Sequence, residues 1–171
     1  LGVTNFLPLF AVETIKIAET EVGLLFTISS LVGAALMIPM GRLSDRKNKK
    51  TLMITGLLIT AASMAGVALA RNYGVLVAAV VLQSAGGAVF GPSAVSLLSD
   101  TVPRHWQSTA MGIYGGCEDI GVVIGSALGG FIYESLGAPS AFLLIGTIVP
   151  VIGAIVALTV LKNKPAAIVQ N

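Results

Sequence analysis

"TLMITGLLITAASMAGVALA", residues 51–70, runs for twenty residues without a single charge. A helix rises about 1.5 Å per residue, and the hydrocarbon core of a bilayer is about 30 Å thick. Twenty apolar residues are therefore the length at which a helix crosses from one face of a membrane to the other. In water, such a segment would have to be covered on every side. The rest of the chain lacks the means to do so. Of 171 residues, 55% are hydrophobic and 11% charged, and the mean hydropathy is +0.92. A soluble domain carries about 25% charged residues. The solvent for most of this surface is lipid.

Working outward from 51–70, four more segments have the same character: 22–40, 74–98, 109–133 and 141–161. A sixth, 1–13, is apolar but short and reads as truncated, and the chain, which begins at Leu1, reads as a piece of a longer protein. The expectation is an all-α membrane protein, with residues 1–171 forming one bundle of six transmembrane helices. A β-barrel would alternate apolar and polar residues in strands of about ten residues, and these runs are too long and too evenly apolar for that. The connections are short: 14–21, 41–50, 71–73, 99–108 and 134–140.

The charge that does exist is concentrated. "GRLSDRKNKK", residues 41–50, holds five of the ten Lys and Arg residues. Arg104, Lys162 and Lys164 fall on the same side, giving eight there against two, Lys16 and Arg71, on the other. Basic loops resist translocation. The 41–50 side is therefore expected to be cytoplasmic, in a plasma or inner membrane, with both termini on that side. A net charge of +2 gives no basis for nucleic-acid binding. Cys117, the sole cysteine, has no partner for an internal disulfide. No metal-ligand spacing, phosphate loop or nucleophile–base set is present, so neither an enzyme nor a cofactor is implied.

Topology accounts for the basic residues but not for the acid among them. Gly41 is placed where the second helix ends, as a left-handed cap or a point of close helix approach. Asp45 beside a helix N-terminus gains stabilisation from its free N–H groups. Arg46, Lys47, Lys49 and Lys50 are positioned to bridge to acids on a neighbouring helix. A loop of this kind ties two helix ends together, and its release opens a gate.

This loop resembles the signature of the major facilitator superfamily, Gly-x-Leu-small-Asp-Arg-x-Gly-Arg-basic. Gly41, Leu43, Ser44, Asp45, Arg46, Lys49 and Lys50 fit, and Asn48 replaces a glycine. "GPSAVSLLSDTVPRHWQSTAMGIYG" resembles the family's passage from span four into span five, through Pro92, Asp100, Pro103, Ala110, Met111 and Gly112. Gln107 and Ser108 stand where Arg-Gly is usual. "GVVIGSALGG" resembles its glycine-rich fifth-span motif, with Ser126 in place of the proline. Drug-exporting first halves of the family often carry an arginine in span four. Val80 stands at that position, so the resemblance implies the second six-helix half of a twelve-helix fold. Gly33 and Gly41 recur as Gly121 and Gly129 at an offset of 88 residues, an echo of the three-plus-three repeats inside each half of such transporters.

Ionisable groups within a span are costly and mark pathways or partners. Glu118 and Asp119 fall near the middle of 109–133. Neighbouring positions on a helix point about 100° apart, so one is expected to face a central cavity and the other an adjoining helix. Burial disfavours the charged form of a carboxyl group, which suits proton exchange. A buried acid satisfied by hydroxyls, or by the missing half, is the other reading. Gln83, beside Ser84 in span four, bonds either substrate or another helix. Asn5 and Pro8 suggest a polar, broken first helix facing the pore, and Phe90-Gly91-Pro92 suggests a bend. Gly121, Gly125 and Gly129 lie on one helix face, with Gly130 beside them, and permit close packing of a partner helix. Glu13, Lys16, Glu19 and Glu21 are read as solvated loop residues.

The resemblance implies a secondary active transporter working by alternating access. Its partners are the lipid bilayer, the missing six-helix half, a small-molecule substrate and protons. Proton-coupled efflux of a drug or metabolite is the expected activity. The rival is a non-transporting scaffold, assembly factor or receptor on the same fold.

Overall fold

A computed structural model describes residues 5–46 and 48–160; the side chains of Asp45, Arg46, Ala138 and Val160 also lie outside the description. The elements are α1 (Leu7–Glu13), α2 (Glu19–Arg46), α3 (Lys49–Ala68), α4 (Tyr73–Thr101), a 3-10 turn (Arg104–Trp106), α5 (Gln107–Leu136), α6 (Ala138–Ala141), a π-helical stretch (Phe142–Thr147) and α7 (Ile148–Val160). α6, the π stretch and α7 follow one another and together form one membrane-length rod. Among the described residues, five helices have the length and composition to cross a membrane. Of the first expected span, 1–13, residues 1–4 lie outside the description, and the described part holds the seven-residue α1.

The helices overrun the expected spans at most ends. α2 has 28 residues and α4 has 29, so each is roughly 42–44 Å long at 1.5 Å per residue. Hydropathy registers only the hydrocarbon layer, whereas a helix persists into the headgroup region for as long as its backbone bonds are made. The loop expected at 41–50 is therefore mostly helix. α2 continues to Arg46 and α3 restarts at Lys49. Gly41 lies inside α2, not at its end, and a side-chain carbon placed there would meet nothing within 4 Å. Neither a left-handed turn nor a close approach explains it among the described residues. Asn48, the departure from the family pattern, is the N-cap of α3. It has φ −64°, and its side chain accepts from Lys50 N at 3.1 Å. It therefore acts by capping the helix, without using the positive φ that asparagine tolerates.

α3 is the central rod, flanked by α4 on one side and by the α6–α7 rod on the other. α4 also packs along α2, and α5 touches the rest lightly. Glycine sets the α3–α4 seam. A Cβ on Gly56 would come within 2.7 Å of Phe90 N, and one on Gly86 within 2.7 Å of Thr60 Oγ1. The main hydrophobic cluster lies at the end opposite the basic turn. It joins Leu7, Phe10, Val22, Leu25, Met64, Val67, Leu76 and Phe142. Phe10 meets Phe142 edge-on, with ring centroids 5.3 Å apart. Pro8 sits at the start of α1, where its missing N–H costs nothing, so it opens that helix and does not break it. α4 runs unbroken through Pro92.

The offset of the glycine echo recurs in the starts of two pairs of elements. α5 starts 88 residues after α2 (107 − 19), and the α6–α7 rod starts 89 residues after α3 (138 − 49).

Candidate functional site

Two groups of polar residues stand out: one at the basic end of the bundle and one at mid-depth.

At the basic end, the ammonium of Lys49, at the start of α3, lies 2.6 Å from Asp100 Oδ2, at the end of α4. The expected bridge from this basic run to an acid on a neighbouring helix is thus present, made by Lys49. Lys50 Nζ donates to the Leu158 carbonyl at 2.9 Å, bringing a cation to the C-terminal, negative end of α7. Gln107 Nε2 donates to Ser99 O at 3.2 Å, tying the start of α5 to the end of α4. The basic end of the bundle therefore holds bonds joining α3, α4, α5 and α7. Asp45 and Arg46, the expected heart of the gate, have side chains outside the described residues.

At mid-depth, Leu7, Phe26, Ser29, Thr60, Val80, Gln83, Ser84 and Gly87 line an open cleft of about 260 Å³ between α1, α2, α3 and α4. Gln83 is ten residues into α4 (83 − 73), and Ser29 is ten into α2 (29 − 19). Both thus lie three or four residues, about 6 Å, from the midpoint of their helix. Sequence reasoning singled out Gln83 and its neighbour Ser84 but missed Ser29 and Thr60. A hydroxyl in an apolar helix carries little signal, because it can bond its own backbone. Only the facing of α2, α3 and α4 gathers these four.

Glu118 and Asp119 are both exposed, on a stretch of α5 that no described element covers. They sit eleven and twelve residues from the start of α5, also near mid-depth. Neither makes a hydrogen bond or ion pair among the described residues. No described helix faces the second acid of the pair, contrary to the expectation for adjacent positions. The glycine stripe of α5 is only partly covered. Gly121 meets nothing within 4 Å, Gly125 is half-buried and Gly129 is buried. Gly130 faces the Phe6 ring, which a Cβ would approach to 3.2 Å. The tight glycine packing lies instead on the α3–α4 seam, at Gly56 and Gly86.

Asn5 is exposed, and its Nδ2 donates to Ser126 Oγ at 3.1 Å, linking the chain before α1 to α5. Ser126 is the residue that stands where the family motif has proline. The same linkage continues through stacking of Phe6 on Tyr133, with centroids 5.6 Å apart, and through Tyr133 Oη donating to Glu13 Oε2 at 3.3 Å. Glu21 is likewise more than a solvated charge, since its carboxylate accepts from Ala18 N at 2.9 Å, at the head of α2.

The chain is 32% identical over 150 residues to the multi-drug resistance efflux pump PmrA of Streptococcus pneumoniae, covering 85% of this chain and 37% of that protein. It is 29% identical over 140 residues to the multidrug resistance protein MdtH of Klebsiella pneumoniae, covering 78% and 35%. It is 27% identical over 129 residues to the riboflavin transporter RibZ of Clostridioides difficile, covering 75% and 28%. The chain thus spans about a third of the length of these curated relatives. The sequence profile of the Major Facilitator Superfamily matches residues 1–171. A match over that whole length, on a bundle of apolar helices, decides the question: the chain belongs to the Major Facilitator Superfamily and is part of an integral, multi-pass membrane protein.

Proposed function

We infer that this chain is one six-helix half, the second, of a secondary active transporter that moves a small molecule by alternating access. The observation that carries this reading is the polar cleft at mid-depth, with Gln83, Ser29, Ser84 and Thr60 inside an otherwise apolar bundle. Polar groups at this depth are costly unless they serve a partner or a path. The relatives named for multidrug efflux and riboflavin transport support a small organic substrate.

In this reading, α5 and its exposed acids border the pathway between the two halves. The uncovered apolar side chains of α5, Ile113, Ile120, Val123 and Phe131, meet the other half or lipid. Asp119 or Glu118 takes up and releases the coupling proton. Asn5, bonded to α5, holds the first helix against the same pathway. Gly41, Asp45, Arg46 and Lys50 belong to a gate on the cytoplasmic side, where Lys49–Asp100 and Lys50–Leu158 hold the helix ends. Gly121, Gly125, Gly129 and Gly130 form a face along which α5 slides. Both termini lie in the cytoplasm.

The test uses the full-length protein in proteoliposomes with an imposed pH gradient. Gradient-driven substrate movement is expected, lowered by Gln83→Leu and altered in pH dependence by Asp119→Asn or Glu118→Gln. An unaltered pH profile in both acid variants removes the acids from coupling. Absence of gradient-driven movement across a broad panel of organic solutes favours a scaffold over a transporter.

A further inference from the structure

The hydrogen atoms of the cleft hydroxyls are accounted for, and their accounting selects a ligand. A hydroxyl has one hydrogen to donate and two lone pairs to accept with. Thr60 Oγ1 donates to Gly56 O at 3.0 Å. Ser84 Oγ donates to Val80 O at 3.2 Å. Ser29 Oγ is also hydrogen-bonded to Ser84 Oγ. Ser84 has a single hydrogen, so both of its bonds hold together only if Ser29 is the donor of the second. In the arrangement where Ser84 donates to Val80 O and Ser29 donates to Ser84, all three hydroxyl hydrogens are spent inside the protein. What remains toward the cleft is acceptor capacity on Ser29, Thr60 and Ser84. Gln83 makes no hydrogen bond among the described residues, and it adds one carbonyl acceptor and the cleft's side-chain N–H donors. The other walls are apolar: Leu7, Phe26, Val80 and Gly87.

From this balance, and resting on the reading of the cleft as the substrate site, the geometry points to a substrate with an apolar body bearing N–H or O–H donors. A molecule offering only acceptors, such as a carboxylate or phosphate, meets lone pairs nearly everywhere and finds Gln83 alone. A molecule whose N–H groups are methylated loses its partners and leaves the hydroxyl oxygens unpaired in a low-dielectric setting.

The test is a matched pair of dyes. Proflavine and acridine orange share one acridine ring and are both cations at neutral pH. The four exocyclic N–H bonds of proflavine are N–CH3 in acridine orange. Binding to the full-length protein in proteoliposomes is read by fluorescence titration, for wild type and for Thr60→Val and Ser29→Ala, with melting curves confirming that each variant is folded. Proflavine is expected to bind about tenfold more tightly than acridine orange, the equivalent of one or two hydrogen bonds. Either variant removes an acceptor and brings the ratio toward one by weakening proflavine alone. If bulk were the cause, Thr60→Val would leave the ratio where it was, and that result overturns the inference. Equal binding of both dyes by wild type overturns it too. If neither dye binds, the reading of the cleft itself falls, and the donor rule with it. Should one variant misfold, the dye ratio of the other still decides the matter.

Discussion

Gly56→Ala tests one of the tight backbone contacts of the α3–α4 seam. The added Cβ would lie 2.7 Å from Phe90 N and 2.9 Å from Phe90 Cα and Cβ. Carbon atoms pack best at about 3.5–4.0 Å, so α3 and α4 must part by about 0.6–0.8 Å. Two of the three opposing atoms are backbone, and no rotamer change relieves them. A gap of that size forfeits about a quarter to a half of the dispersion energy of each facing pair, and overpacking of a well-filled site costs about 1–3 kcal/mol. The upper half of that range applies here, because the strain falls on a helix axis shared with Gly86 and Thr60. The control is Gly87→Ala on α4. Gly87 neighbours the equally tight Gly86, yet a Cβ there meets nothing within 4 Å, and alanine favours helix by about 1 kcal/mol over glycine. Thermal unfolding of the detergent-solubilised full-length protein, followed by tryptophan fluorescence, separates the two. For a protein about the length of these relatives the conversion falls to about 1–2 °C per kcal/mol, so Gly56→Ala lowers the midpoint by about 2–6 °C, while Gly87→Ala leaves it level or higher. Gly56→Ala melting with wild type, or Gly87→Ala melting lower than Gly56→Ala, would refute the claim that this seam is set by backbone contact.

Three smaller effects follow from the same geometry. Asn48→Ala removes the N-cap of α3 and lowers stability by about 1 kcal/mol; Asn48→Asp, which keeps the accepting oxygen, restores it in the same melting assay. Lys49→Gln and Asp100→Asn each cost less than about 1 kcal/mol, because Asp100 is largely exposed; a double-mutant cycle shows coupling of that size, and it shrinks in high salt. Tyr73→Phe deletes the hydroxyl that donates to Glu21 O at 3.2 Å between the heads of α4 and α2, and lowers the midpoint by the equivalent of about 0.5–1.5 kcal/mol.

Much of the fold was legible in the sequence because lipid solvation is written in the residues one by one. Five long helices overlap the apolar segments 22–40, 51–70, 74–98, 109–133 and 141–161, most of them running past the segment ends, while α3 stops at Ala68. The bridge from the basic run to a neighbouring acid was also legible, since few acids exist for it to meet. The errors arise where local signals compete. A dense charge cluster reads as a loop, yet α2 carries Arg42 as a helical residue, and Asn48 caps α3 just after it. The π stretch Phe142–Thr147 has no local mark; it lies where Gly146 meets the Met64 side chain, with a built Cβ 2.9 Å from Met64 Cγ.

The sequence by itself determined that this protein is a set of apolar helices with one strongly basic end, because hydropathy and charge are sums over single residues. Which glycines bring helices together, which hydroxyls face one cleft and which lysine finds the acid were decided only by the tertiary structure. Those are properties of pairs. Each depends on the rotation and register of two helices at once, and a rotation of about 100° moves a residue from a seam to the lipid without changing a letter of the chain.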